Sequence, residues 1–146
     1  SLQTFLSKFL RHQQLILVHN VHTTEKDIAF SRSVVNSDQL YWCLCPNANI
    51  YISKKLPDIS TLINNDCRIV LGTDSLASNH QLSILEEIKT IRQHFPAIEK
   101  SILLQWATSN GAKALQMDSI LGSFEKGKRP GVVLVANDWS AVQRLA

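Results

Sequence analysis

Cysteine, methionine, glycine and proline are scarce in this chain, and no apolar run approaches membrane length. Its 3 cysteines are odd in number, which argues against a closed disulfide framework and for a reducing compartment. Without an apolar stretch of roughly 20 residues there is no candidate membrane-spanning helix. The N-terminus shows no charged region followed by an apolar one and a cleavage site. The expectation is a cytoplasmic protein that does not engage membranes. A dominant charge is missing too: the formal +3 comes from scattered residues, with only Lys126, Lys128 and Arg129 grouped beside a turn. No basic stripe alternates with aromatics, so nucleic acid is not an expected partner. No glycine-rich phosphate loop follows any strand, which disfavours a doubly wound nucleotide-binding domain.

What is present is a rhythm. A short amphipathic helix from Thr4 to Arg11, with Phe5, Phe9 and Leu10 apolar, leads into Leu15-Ile16-Leu17-Val18. That run is continuously apolar, the pattern of a strand covered on both faces. Thr23 or Thr24 then caps a helix, with Asp27 three residues after Thr24 as a capping-box acid. Tyr41 to Cys45 reads as a second strand stopped by Pro46, and Asp58 to Asn65 as a short helix with Ile59, Leu62 and Ile63 inward. Arg68 to Leu71 reads as a third strand. Ser78 or Asn79 is expected to cap a helix through Phe95, with Leu82, Leu85, Ile88 and Ile91 at helical spacing. Pro96 ends it, and a further helix runs from about Ile98 to Leu115.

Each of the three evenly spaced strands is followed by a helix, the order of a parallel α/β sheet. Right-handed crossovers place the strands side by side. Ligands in such sheets sit at the carboxyl ends of the strands. Those ends are polar here: His19 and Asn20, then Asn47 and Asn49, then Thr73 and Asp74. After Gly122 the character changes. A turn-rich stretch precedes the apolar run Gly131 to Val135, which leaves the βα order and resembles the start of a separate β element.

Taken singly, each of these residues has a plain role. An Asp closing a buried strand must be hydrogen-bonded, used as a helix cap or bound to a metal. A strand-end histidine such as His19 is commonly a satisfied rim residue. His22, His80 and His94 read as surface residues, His12 carries no signal, and Cys43 and Cys45 read as buried thiols on one strand face.

Together they carry a resemblance. Leu17-Val18-His19-Asn20-Val21-His22, Cys45-Pro46-Asn47-Ala48-Asn49 and Gly72-Thr73-Asp74-Ser75-Leu76-Ala77-Ser78-Asn79 occur in the order and spacing of the last three strands of amidohydrolase-superfamily barrels. They look most like the subgroup of aminohydrolases and chlorohydrolases that includes adenosylhomocysteine and guanine deaminase-like enzymes. Gly122 to Val133 resembles the segment leading from such a barrel to its small β-sandwich. The resemblance implies an α/β fold comprising the last three βα units of a TIM-type (β/α)8 barrel in residues 1–121. Residues 122–146 would then be the return segment.

It also implies roles. Asp74 would bind the catalytic divalent metal (zinc, or iron) and shuttle the proton of a metal-activated water. His19 would contact substrate or hydroxide, while Asn49 and Ser78 would shape the substrate rim. The implied reaction is hydrolysis of a carbon–nitrogen bond outside peptides. It would be a deamination, or a dechlorination, of a small purine-, triazine- or amidine-like substrate.

Two departures stand out. The family's His-Cys-Pro-x-Ser-Asn is here Leu44-Cys45-Pro46-Asn47-Ala48-Asn49, and Pro130-Gly131 replaces a usual Ala-Asp. The family's H-x-H is absent, and a full barrel runs to about 250 residues against 146 here. The chain alone is therefore expected to be inactive and to hold metal weakly or not at all. It is also expected to self-associate through open strand edges and an apolar inner face. The alternative is a catalytically dead βα module with a structural or partner-binding role.

Overall fold

The computed structural model describes residues 2–145. Three strands, β1 (Leu15–Val18), β2 (Leu40–Leu44) and β3 (Arg68–Leu71), form a parallel sheet in the order β1-β2-β3. Register is continuous across it: Val18 lies beside Cys43, and Cys43 beside Val70. Around the sheet run α1 (Leu2–Leu6), α2 (Glu25–Val34), α3 (Pro46–Ser53) and α4 (Ile59–Asn64). They are followed by α5 (Ile84–His94), α6 (Lys100–Ala107) and α7 (Ser109–Ala114).

The two faces of the sheet differ. Leu17, Leu40, Trp42, Leu44 and Ile69 point to the helical layer and pack with Ile28, Ile59, Leu62, Ile88, Ile91 and Leu103. On the other face a small cluster of Tyr41, Val70 and Ala114 is joined by Cys43. There Ile16 and Val18 stay 38% and 49% exposed. β1 is thus covered on one face only, contrary to the expectation from its apolar run. An apolar strand specifies a low-polarity surface on both sides, but not that the chain itself supplies both covers.

Local chemistry explains most boundaries. Thr24 and Asp27 form a reciprocal capping box at α2, and Asp58 caps α4 through the Thr61 amide. Other boundaries differ from the sequence expectation. The first helix is α1, ending at Leu6 rather than Arg11. Pro46 does not only stop β2; it occupies the first turn of α3, where its missing N–H costs nothing. Neither Ser78 nor Asn79 caps α5: Ser83 does, accepting from the Glu86 amide, and Leu82 is left exposed. The helix expected from Ile98 to Leu115 breaks at Thr108 (φ −125°, ψ −86°) into α6 and α7. The break falls at Thr108-Ser109-Asn110-Gly111, a run of poor helix formers.

At the C-terminus β4 (Val133–Val135) and β5 (Val142–Arg144) form an antiparallel hairpin separate from the main sheet. Trp139, in its turn, is buried in the main core, with the Arg92 guanidinium 5.6 Å from its ring centre.

Candidate active-site rim

All three strands of the main sheet end at one rim. β1 closes with His19 and Asn20 in consecutive left-handed conformations (φ 72° and 61°), and Asp74 beyond β3 adopts the same region (φ 57°). Such backbone is uncommon for residues with a Cβ and costs about 1 kcal/mol or more each unless neighbours fix it. Here they do. The His19 amide donates to the Cys43 carbonyl at 3.0 Å. The Asn20 side chain donates to the carbonyls of Leu17 (2.8 Å) and Cys43 (3.3 Å).

β2 contributes through the helix that follows it. Asn49, in the first turns of α3, is 1% exposed. Its Nδ2 donates to the His19 carbonyl at 3.2 Å, and its Oδ1 lies 2.8 Å from His19 Nδ1. With the amide nitrogen committed to a carbonyl, its oxygen must accept, so Nδ1 carries the proton. In the neutral ring His19 Nε2 is left as the acceptor, 3.9 Å from Asp74 Oδ2. The same Oδ2 accepts from Ser78 Oγ at 2.6 Å. His19 with Asn49 and Asp74 with Ser78 are therefore two hydrogen-bonded pairs that face each other across 3.9 Å. The His19 and Asp74 side chains keep 39% and 30% exposure, open to an incoming molecule. An open cavity of about 520 Å³ lies against His19 and Asn49, bounded by Val18, Val21, His22 and Ile52. Asp74 is not part of its lining.

One important residue was missed in the sequence. Glu87 of α5 is fully buried and accepts from the Asn47 amide (2.9 Å), Asn47 Nδ2 (3.0 Å) and Asn79 Nδ2 (2.7 Å). Burial pushes its carboxyl pKa up while these donors pull it down, with burial prevailing. The signal was available: helical spacing puts Glu87 on the buried stripe with Ile84, Ile88 and Ile91. A carboxylate on such a face must have partners.

Cys43 and Cys45 are free thiols, half-buried and buried. A Cβ on Gly72 would lie 2.9 Å from Cys43 Sγ and 3.3 Å from Cys45 Sγ, so both sulfurs crowd that glycine. Hydrogen bonding between the thiols lowers the Cys43 pKa and raises that of Cys45. Among the described residues no three His, Cys, Asp or Glu side chains converge on a point that could hold a metal ion. A protein metal centre takes about three such ligands, so the residues described here do not by themselves fit one. Nor, among the described residues, is any helix long and apolar enough to cross a membrane.

The sequence profile of the amidohydrolase family matches residues 2–144. The chain belongs to the amidohydrolase family. A 5-methylthioadenosine/S-adenosylhomocysteine deaminase of Saccharophagus degradans is 32% identical over 139 residues, covering 88% of this chain and 29% of that protein. Among solved structures, a zinc-bound adenosine deaminase from Xanthomonas campestris superposes with a TM-score of 0.72 at 28% identity. It covers 87% of this chain and 29% of its own. Helicobacter pylori aminofutalosine deaminase superposes with a TM-score of 0.77 at 25% identity, covering 90% of this chain and 32% of its own. The chain thus spans about three tenths of the length of these amidohydrolases. With its parallel βα order, it is part of a TIM-type barrel.

Proposed function

We propose that residues 1–121 form the last three βα units of an amidohydrolase (β/α)8 barrel, and that residues 122–146 lead towards a small β-sandwich. The rim of these units would supply His19, Asn49, Asp74 and Ser78 to a site for hydrolytic deamination of a purine-like or related amidine-like substrate. Dechlorination of a triazine is the variant with a different leaving group. The observation that carries this reading is the meeting of the strand ends at one rim, where Asp74 Oδ2 lies 3.9 Å from His19 Nε2 and 2.6 Å from Ser78 Oγ while Asn49, after β2, holds His19.

In chemical terms, water adds to the ring carbon bearing the amino group, and ammonia leaves. Asp74 is placed to take the proton of that water and return it to the leaving nitrogen, a role a positioned carboxylate fills well. Ser78 occupies one lone pair of Oδ2 and holds the carboxylate in one rotamer. His19, fixed by Asn49, presents Nε2 as an acceptor toward the same space. Asp74 would be one ligand of a divalent metal such as the zinc that the Xanthomonas relative binds, which would supply a Lewis acid that lowers the pKa of the attacking water; the described residues do not complete such a site.

The relatives suggest the substrates to try: ammonia release from 5-methylthioadenosine and S-adenosylhomocysteine by the whole protein that carries these residues. Turnover is the expected outcome. Failure on every amino-purine offered would favour the second reading, a catalytically silent βα module, which the loss of the family's histidine and serine at Leu44 and Ala48 would permit.

A further inference from the structure

The hydrogen bonds around Glu87 run in two directions, and both reach the rim. On one side Glu87 holds the amide and side chain of Asn47 at the start of α3, with Thr90 Oγ1 also donating to Asn47 Oδ1. Two residues further along the same helix, Asn49 clamps His19 front and back. On the other side Glu87 accepts from Asn79 Nδ2, which also donates to the Thr73 carbonyl at 2.8 Å, the residue before Asp74. We propose that Glu87 is the positioning residue of this site, setting the His19–Asp74 separation by tying α3 to the Asp74 loop. This deepens the deaminase reading and rests on it.

The physical case is one of matched demands. A buried carboxylate without donors is strongly unfavourable, and buried donors without an acceptor are costly as well. Here three N–H groups from two separate segments find their acceptor in one side chain. The helix end adds a favourable field at the first turn of α3. Because Glu87 itself sits on α5, packed through Ile88 and Ile91 into the core, both segments are referenced to a rigid element. Glu87 joins α3 to the Asp74 loop by hydrogen bonds to Asn47 and Asn79. Residues that orient catalytic groups in this indirect way typically carry 10–100-fold of activity or affinity.

Glu87→Gln is the direct perturbation. It keeps shape but has one acceptor oxygen, and its amide turns N–H groups toward the Asn47 donors. The compensating pair is Asn47→Asp with Glu87→Gln, which returns a carboxylate to the same network. In that pair the introduced amide donates to the introduced carboxylate, and the negative charge stays at the start of α3. The readout is NMR of the chain: the side-chain amide of Asn49, which does not touch Glu87, and the backbone amides of Thr73 and Asp74. In E87Q these resonances are expected to shift and lose hydrogen-exchange protection, while protection around Ile28 in α2 and Leu62 in α4 is kept. N47D/E87Q is expected to bring back the Asn49 resonance, on the α3 side, while Thr73 and Asp74 stay shifted, because the amide nitrogen that donates to the introduced carboxylate replaces the oxygen that accepted from Asn79.

In the whole protein E87Q should lower kcat by about 10-fold or more, and N47D/E87Q should restore it in part, with little change in KM. Unchanged Asn49 and Asp74 resonances in E87Q would overturn the proposal. So would protection lost evenly across the chain, or a double variant that restores nothing. Should E87Q fail to fold, the double variant decides alone. A wild-type Asn49 resonance supports the proposal; failure of both means a general structural role and overturns it. Absence of turnover in the unmodified protein defeats the deaminase reading and leaves the NMR outcome to judge Glu87.

Discussion

Gly72 shows how tightly the rim is built at the scale of single residues. It continues the β3 ladder by donating to the Leu44 carbonyl at 2.9 Å, directly beneath the sulfurs of Cys43 and Cys45. A methyl group there must displace one of them. Overpacking of this kind costs about 1–3 kcal/mol, so Gly72→Ala is expected to lower the chemical-denaturation free energy by that amount. Adding Cys43→Ala removes the sulfur that would lie 2.9 Å away and should recover most of the loss. Equal destabilisation with and without Cys43→Ala would show that the crowding is not the cause. At this scale strand-end polarity made His19, Asn49 and Asp74 legible in the sequence, because a polar residue that closes an apolar run must find water or a partner at the rim. Ser78 was legible as a rim residue, but not as the donor to Asp74. Glu87 was legible as a carboxylate on the buried stripe of α5, but its partners were not, because only tertiary packing brings Asn47 and Asn79 to it.

Elements were readable where local chemistry alone decides them. The α2 capping box and the three parallel strands depend on short-range patterns, and they stand where those patterns put them. Ser78 and Asn79 misled because Ser and Asn suit helix starts and tight loops equally well. The loop after Asp74 runs on to Ser83 before α5 begins. The two serines therefore have separable jobs. Ser83→Ala should cost about 1 kcal/mol of stability, the usual value of a helix cap, and leave the Asp74 carboxylate in place. Ser78→Ala should cost about 1.5–3 kcal/mol, because the buried hydroxyl donates to a carboxylate, and should release Asp74 Oδ2, which Ser83→Ala does not. Denaturation curves with NMR of the Asp74 backbone check both. Asp74 resonances that move in Ser83→Ala and stay in place in Ser78→Ala would reverse the assignment.

At the scale of the whole molecule, the sheet is an open arc. Among the described residues β1 and β3 each pair on one side only. Ile16 and Val18 leave an apolar strip on the face away from the helices. The exposed hairpin residues Val133, Leu134 and Val142 add more. Unpaired parallel edges beside apolar surface favour association. The 146-residue chain is expected to self-associate by light scattering at micromolar concentration, and a clean monomer would contradict this. β1 misled for the same reason: its apolar run specifies a covered inner face, and the cover is not among the residues described here.

The proposed chemistry depends on Asp74 above any other side chain. The decisive measurement is kcat for ammonia release by the whole protein, compared between the unmodified form and Asp74→Asn. Asparagine keeps the size of the side chain and an acceptor for Ser78, but cannot take a proton from water. The expected result is a fall in kcat of about 10²–10⁴-fold, with unchanged stability. Turnover undiminished in Asp74→Asn would contradict a proton-shuttling role for this carboxylate, and with it the proposed mechanism.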